Sequence, residues 1–382
     1  MRTAIISDLH LASISGEDVL HDAEIRRTLF AEIASADRLV LLGDCIELRD
    51  LPLGEALEAV RPFFEELGQA MDGREIVYVA GNHDHRMAEP LLERRSLAAR
   101  SGLGLENRYR PVSGAASRIS RWLGGAKLEL AYPGLWLRDD VYATHGHYMD
   151  CHLTLPRFEC IAAAAVMRGT GRIPDPATPD HYERVLQPVN SLTFGLAQSG
   201  ALRRAATAAR PSERVWHWIN GEDGRGSGRR LVAGAAGRAA VPAAVWAINR
   251  ALGAEFVPDL SARAISRGGI ASATEMVRRL RIEAEHVITG HTHRAGPGPG
   301  EEPWEIPGGG TLHNTGNWIF AAVLHPPGAR PGPYWPGTVT WLDDSGPPQR
   351  KSLLADRAAE DLGEVARVGR FRLAALASRE LG

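Results

Sequence analysis

Short apolar runs alternate with longer amphipathic stretches over the first eighty residues. The runs "TAIIS" (3–7), "RLVLL" (38–42) and "EIVYVA" (75–80) have the unbroken hydrophobicity of strands buried on both faces. Between them, "DAEIRRTLFAEIA" (22–34) and "EALEAVRPFFEELGQAM" (55–71) repeat apolar residues at three- and four-residue spacing, which predicts helices. The alternation predicts a mostly parallel sheet with helices on both faces. Further strands are expected over 127–132, 135–146, 285–290, 311–316, 318–324 and 338–343, and the short turns joining several of them give this part antiparallel character. From 150 to 283 strand-like runs disappear, alanine and arginine dominate, and a Gly-rich polar loop (216–230) separates two helical stretches. The pattern predicts an α/β domain made of 1–149 and 284–351, a helical insertion over 150–283 and a helical tail over 352–382.

Composition adds little for the chain as a whole. With 382 residues, 44% hydrophobic and 24% charged, it suits a soluble globular protein, and a net charge of −2 selects no partner. The insertion differs, because 151–283 carries 18 arginines against 11 acidic residues. Such a segment would draw anionic substrates or an anionic membrane surface, and it would equally suit a solvated helical face. No basic stripe with interleaved aromatics accompanies it, so nucleic acid is not an expected partner; "WHW" (216–218) is the one hint of it. The alanine-rich stretch Leu231–Leu252 is interrupted by Arg238, Pro242 and Arg250, which predicts a buried or interfacial helix and no transmembrane span. Three cysteines (Cys45, Cys151, Cys160) without metal-type spacing fit a reducing compartment, and "MRTAIISDLHL" has no charged region followed by a long apolar one, so no signal peptide is expected. The expected location is cytoplasmic, with peripheral membrane contact through 150–283 as a variant of it.

The candidate chemistry sits where strands end. Asp8 and His10 follow the first run, Asp44 and Glu47 the second, Asn82 and His83 the third, His145 a later one, and His291 with His293 another. Any one of these pieces also suits an ordinary polar turn. Five strand ends all finishing in oxygen or imidazole donors point to one shared site, because ligands in open α/β sheets bind at the carboxyl ends of strands.

Taken in order, Asp8-x-His10, Gly43-Asp44 with Glu47, Gly81-Asn82-His83-Asp84, His145 and Gly290-His291-Thr292-His293 resemble the calcineurin-like metallophosphoesterases over about 1–149 and 284–345. "LHNTGNW" (312–318) is similar to that family's late Asn-x-Gly strand. The resemblance implies an α/β fold of four layers, an α/β/β/α metallophosphoesterase sandwich with a helical insertion. It also implies two divalent metal ions, manganese first with iron or zinc as alternatives. One would be held by Asp8, His10, Asp44 and His293, the other by Asp44, Asn82, His145 and His291, with Asp44 as the bridge. His83 would act as acid or hydrogen-bond donor at the leaving oxygen, oriented by Glu47, with Asp84 fixing the loop as the third member of the catalytic set. The implied activity is hydrolysis of a phosphomonoester, phosphodiester or pyrophosphate on a phosphorylated small molecule or a lipid-linked substrate.

Two departures narrow this. Glu47-Leu48-Arg49 stands where Ser/Thr protein phosphatases of the family carry Asp-Arg-Gly, which argues against a protein phosphatase. His147 stands where many bacterial members carry Asp, and could touch substrate or cap a turn; His85 is expected to face solvent or the substrate's edge. "GDCIEL", "HGHYMDCH" and "GHTHR" are similar to the bacterial UDP-diacylglucosamine pyrophosphohydrolases, whose helical insertion forms a lipid-binding cap, although that branch has Arg where this chain has His83. A non-catalytic interaction scaffold on the same fold usually lacks a ligand or the histidine, and none is missing here.

Overall fold

Strands β1 (Thr3–Ile6), β2 (Arg38–Leu42) and β3 (Glu75–Val79) run parallel, with Ile5 opposite Val40 and Leu41 opposite Tyr78. Helices α1 (Ala23–Ile33) and α2 (Leu53–Ala70) make the two crossovers. Asp22 caps α1 by accepting the backbone N–H groups of Glu24 and Ile25, and the i, i+4 series Ile25, Leu29, Ile33 is its buried face. The computed structural model describes residues 1–98, 102–199, 229–322 and 324–378, with backbone alone for 229–240 and 370–378. The expected Trp216–Trp218 feature lies outside the described residues.

After β3 come α3 (Glu89–Ala98), β4 (Glu106–Tyr109), α4 (Gly114–Trp122), β5 (Lys127–Arg138) and β6 (Val141–Thr144). The strand β5 is the hinge of the sheet. Its first residues pair parallel with β3 and its last residues pair antiparallel with β6. Helices α5 (Phe158–Thr170), α6 (Pro179–Gln198), α7 (Arg229–Leu252) and α8 (Ala262–Leu280) follow, with no strand among the described residues of this span. The chain returns through β7 (His286–Thr289), β8 (Trp304–Ile306), β9 (Gly310–Asn314), β10 (Thr338–Leu342), β11 (Gln349–Ser352) and α9 (Ala359–Ser378). The hydrogen-bonded order is β11-β10-β1-β2-β3-β5-β6-β7-β9-β8, with β4 beside β5.

Side-chain alternation turns this one curled sheet into two middle layers. Odd and even positions of a strand face opposite ways. Ala4, Ile6, Leu39, Leu41, Ile76 and Tyr78 pack in one core with the residues of α1 and α2. Their neighbours Ile5, Val40, Leu42, Val77 and Val79 instead meet Leu135, Leu137, Val141, Ala143 and Ile288 from the other half of the sheet. On the far face of that half, Tyr142, Val287 and Leu312 pack against Tyr182, Val185 and Leu186 of α6 and Ala273, Met276 and Val277 of α8. The span expected as an insertion thus provides the outer helical layer of the second half. No described helix is long and apolar enough to cross a membrane.

One expected strand is absent. Over the described part of 318–324 only Ile319 makes a bridge, to Asp18. Trp318 and Phe320 are apolar there because they plug the first core, not because they line a sheet. The short strands β4, off the main path beside β5, and β8, at one end of the sheet, carry no apolar run long enough to have been read from sequence.

Candidate metal centre

The strand-end residues meet at one place. Asp8, His10, Asp44, His291 and His293 have φ of 55°, 45°, 51°, 66° and 60°, five of the seven described non-glycine residues with positive φ. That conformation costs of order 1–3 kcal/mol per residue and persists only where surroundings impose it. Here neighbouring loops do so. Asp8 N–H donates to Gly43 O (3.1 Å), His10 N–H to Asp44 O (2.9 Å), Trp318 N–H to Asp8 O (3.0 Å) and His291 N–H to the Asp8 carboxylate (3.1 Å). The "LHNTGNW" segment braces the last loop, since Asn317 donates to His293 O at 2.8 Å. Two glycines are required by the closeness of the loops. A Cβ on Gly43, itself at φ +83°, would overlap the His145 ring, and one on Gly81 would overlap Asp44 Oδ1.

Among the described residues, ligand-type atoms form two clusters, one of Asp8, His10 and His293 and one of Asp44, His145 and His291, joined by a third group of His10, Asp44 and His83. In the first, His293 Nε2 lies 3.1 Å from Asp8 Oδ1 and 3.2 Å from His10 Nε2. In the second, His145 Nε2 lies 3.1 Å from Asp44 Oδ2, and the Asn82 amide oxygen sits 3.2 Å from both of these atoms and 3.1 Å from His291 Nδ1. Asp44 Oδ2 also reaches His10 Nε2 at 3.9 Å, so Asp44 stands between the clusters.

This donor set fits cations. The inner atoms are carboxylate oxygens, an amide oxygen and imidazole nitrogens, all lone-pair bearers facing one another. A neutral hydrogen-bond network would turn the Asn82 amide nitrogen inward, whereas a cation takes the oxygen. The outer nitrogens are occupied, which aims the inner ones. His145 Nδ1 is 3.0 Å from Leu42 O, His291 Nε2 is 2.9 Å from Asp150 Oδ1, and His10 Nδ1 is 3.3 Å from Glu47 Oε2. The field also calls for positive charge. Burial would lower the His145 pKa, yet Asp44, Asp8 and Asp84 push it up to about 10. Burial would raise the Asp44 carboxyl, yet His145, His83 and His10 hold it well below the ordinary carboxylate range.

His83 sits beside the clusters, its Nδ1 2.6 Å from Glu47 Oε2 and its Nε2 4.0 Å from Asp44 Oδ2. Burial outweighs the pull of Glu47 and Asp44 and lowers its pKa, giving a neutral imidazole near pH 7. Glu47 therefore orients both His10 and His83 through one oxygen. Asp84 is fully buried and turned away from the ligand atoms. It accepts from Gly81 N–H (2.6 Å), Cys45 N–H (2.8 Å) and the Tyr78 hydroxyl (2.5 Å), tying the second and third loops together.

Two expectations change. His85 is 3% exposed and neither faces solvent nor edges the clusters; its Nε2 pairs with Glu183 of α6 at 3.0 Å. His147 is equally buried, with Nε2 3.2 Å from the Tyr132 hydroxyl and Nδ1 without a partner. Burial and the like charges of His145, His85 and His291 push it well below the ordinary imidazole range. Glu183 also accepts from Tyr132 and Tyr148 at 2.5 and 2.6 Å, so one buried carboxylate fastens the helical layer to the sheet. Asp150 and Glu183 escaped the sequence reading. Asp150 stands in "HGHYMDCH", where an acid close behind a ligand histidine was a usable signal; Glu183 had none.

The comparisons agree with the geometry. Residues 1–167 match the family model described as calcineurin-like phosphoesterase, a span that holds the first four strand ends and reaches into α5. No curated protein matches the chain.

Proposed function

We propose that this chain, whose residues 1–167 match the calcineurin-like phosphoesterase family model, hydrolyses phosphate esters at a dinuclear metal centre. Asp8, His10, Asp44 and His293 would hold one cation and Asp44, Asn82, His145 and His291 the other. When bound, the pair would supply a nucleophilic water at neutral pH and stabilise charge growing on phosphorus. The imidazole-rich, mixed N/O set suits Mn, Fe or Zn over Mg, and Mn²⁺ is the first to test.

The protein's own groups do the rest. Glu47 holds the proton on His83 Nδ1 and turns Nε2 inward. An anion bound beside Nε2 raises the imidazole pKa. His83 thus takes up a proton with the substrate and delivers it to the leaving oxygen as the ester bond breaks, a contribution of about 10²–10⁴ in rate. Asp84 acts one step removed, by fixing the loops that carry Asp44 and Asn82.

The observation that carries this reading is the gathering of Asp8, His10 and His293, and of Asp44, His145 and His291, with the ligand atoms of each group within 4.8 Å of one another. Hydrolysis of p-nitrophenyl phosphate or its bis ester with Mn²⁺, abolished by chelation, is the expected result. No turnover with any divalent metal would leave a non-catalytic scaffold.

A lipid-linked pyrophosphate is the second reading, favoured by a cavity of about 420 Å³ between α5 and α8 whose walls include Leu153, Met167 and Phe256. Cytoplasmic residence with contact at an anionic membrane through 150–283 would accompany it.

A further inference from the structure

We propose that Arg49 is the anchor for the third non-bridging oxygen of a terminal phosphoryl group, making the centre selective for phosphomonoesters; this rests on the phosphoesterase reading above. Arg49 follows Glu47 in the loop after β2 and is only 8% exposed. Two residues of the outer helical layer hold its guanidinium. Its Nη2 donates to Asn190 Oδ1 of α6 at 2.8 Å, and its Nη1 donates to Glu159 Oε1 of α5 at 3.3 Å. Its Nε is buried and has no hydrogen-bond partner among the described residues.

The decisive contact is with Asn82. When a cation takes the amide oxygen, the amide nitrogen lies 3.3 Å from Arg49 Nη1, donor against donor. A buried guanidinium with its Nε unpartnered among the described residues and one Nη against an amide donor has hydrogen-bond donors to spare for an anionic acceptor. Burying such a charge is costly unless it is fully paired, and among the described residues Glu159, at 3.3 Å, is the one acidic side chain paired with it.

The chemistry of the acceptor follows from counting oxygens. A phosphoryl group that turns two non-bridging oxygens toward the ligand clusters has a third to offer only when it is terminal. In a phosphodiester, or at an internal pyrophosphate phosphorus, that position carries an ester or anhydride substituent, which accepts weakly and meets the guanidinium with no charge. Asn190 and Glu159 then act as positioning residues, and the helical layer takes part in substrate choice through them.

The test uses the full, Mn²⁺-loaded chain and the variants Arg49→Met, Arg49→Lys and Asn190→Ala. Binding of inorganic phosphate and of dimethyl phosphate is measured by calorimetry, and kcat/KM is measured on p-nitrophenyl phosphate and its bis ester. Metal stoichiometry and thermal melting are followed alongside. In Arg49→Met, phosphate affinity and the monoester-to-diester ratio of kcat/KM should both fall roughly 10- to 100-fold, the worth of a charge-assisted hydrogen bond, with metal content unchanged. Arg49→Lys should keep part of the preference and Asn190→Ala should lose part of it, while added guanidinium should restore phosphate binding to Arg49→Met. Equal loss for both ligands, or no loss with either variant, overturns the assignment to Arg49. Should the unmutated enzyme hydrolyse neither ester, the phosphoesterase reading fails instead, and phosphate binding still decides whether Arg49 holds an anion.

Discussion

His291 is held from both sides: its Nε2 lies 2.9 Å from Asp150 Oδ1, and its Nδ1 lies 3.1 Å from the Asn82 amide oxygen. Asp150 fixes the ring and keeps the proton on the outer nitrogen, so the inner lone pair points at the centre. Burial would raise the Asp150 pKa, but His291 lowers it, so the carboxylate is ionised at neutral pH. Asp150→Asn should leave the fold intact and weaken metal binding about 10- to 100-fold, the usual consequence of losing such a partner. A Mn²⁺ titration followed by metal analysis checks this, and unchanged affinity would show that Asp150 only packs.

Glu47 and His83 should separate by what they lose. His83→Gln should lower kcat by about 10²–10⁴ with metal content preserved. Glu47→Gln should reduce both, because Glu47 also orients His10. Identical metal content in the two variants would sever the link between Glu47 and His10.

The attachment of α6 has a pH signature. Burial would raise the Glu183 pKa, but the attraction and hydrogen bond of His85, with the hydroxyls of Tyr132 and Tyr148, lower it below the ordinary 4.5. A carboxyl with a depressed folded-state pKa stabilises the fold above its unfolded value, and that stabilisation disappears as pH falls through the folded value. Glu183→Gln should thus be less stable at pH 7, by roughly 1–3 kcal/mol. The gap should close below pH 4.5, as read by denaturant unfolding across pH 7 to 3. A gap that stays constant with pH would mean that Glu183 is not ionised in the fold.

Gly81 offers a steric test away from any titrating group. Gly81→Ala would drive a methyl group onto Asp44 and to within 2.8 Å of the His145 ring, moving two ligands at once. The expected result is lost Mn²⁺ binding together with a fall in stability of roughly 1–3 kcal/mol. Wild-type metal content in this variant would show that the loops can part without harm.

Metal removal should also act on stability. The inner oxygens of Asp8, Asp44 and Asn82 are packed against imidazoles that a cation would bridge, so Mn²⁺ should raise the melting temperature and chelation should lower it. At a hundredfold excess over Kd the gain is about 2.7 kcal/mol per site. A melting temperature indifferent to both would argue that the clusters bind no cation.

The strands and their terminal ligands were legible because both are local. An apolar run of strand length ending in "SDLH", "GDCIE" or "GNHD" carries the element and the donor in one stretch, and the parallel strands β1, β2 and β3 put their carboxyl ends at one edge. Strands β6 and β7 run opposite to them across β5, so His145, His291 and His293 join that edge only because the sheet folds back. The sequence by itself therefore determined which donors stand at the strand ends. Whether "WIFAAVL" is a strand or a plug was not determined, since both need the same apolar residues; packing of Trp318 against the first core decided it.

Tertiary structure alone decided which distant groups support the edge. Asp150 reaches His291, and Arg49 reaches Asn190, each across 141 residues. Nothing near Asn190 or Glu183 in sequence marks them, because a helix has polar residues on several faces and only docking selects the face that turns inward. The physical reason is range: backbone propensity and ligand type are properties of a few neighbouring residues, whereas the pairing of buried charges depends on how separately formed layers meet.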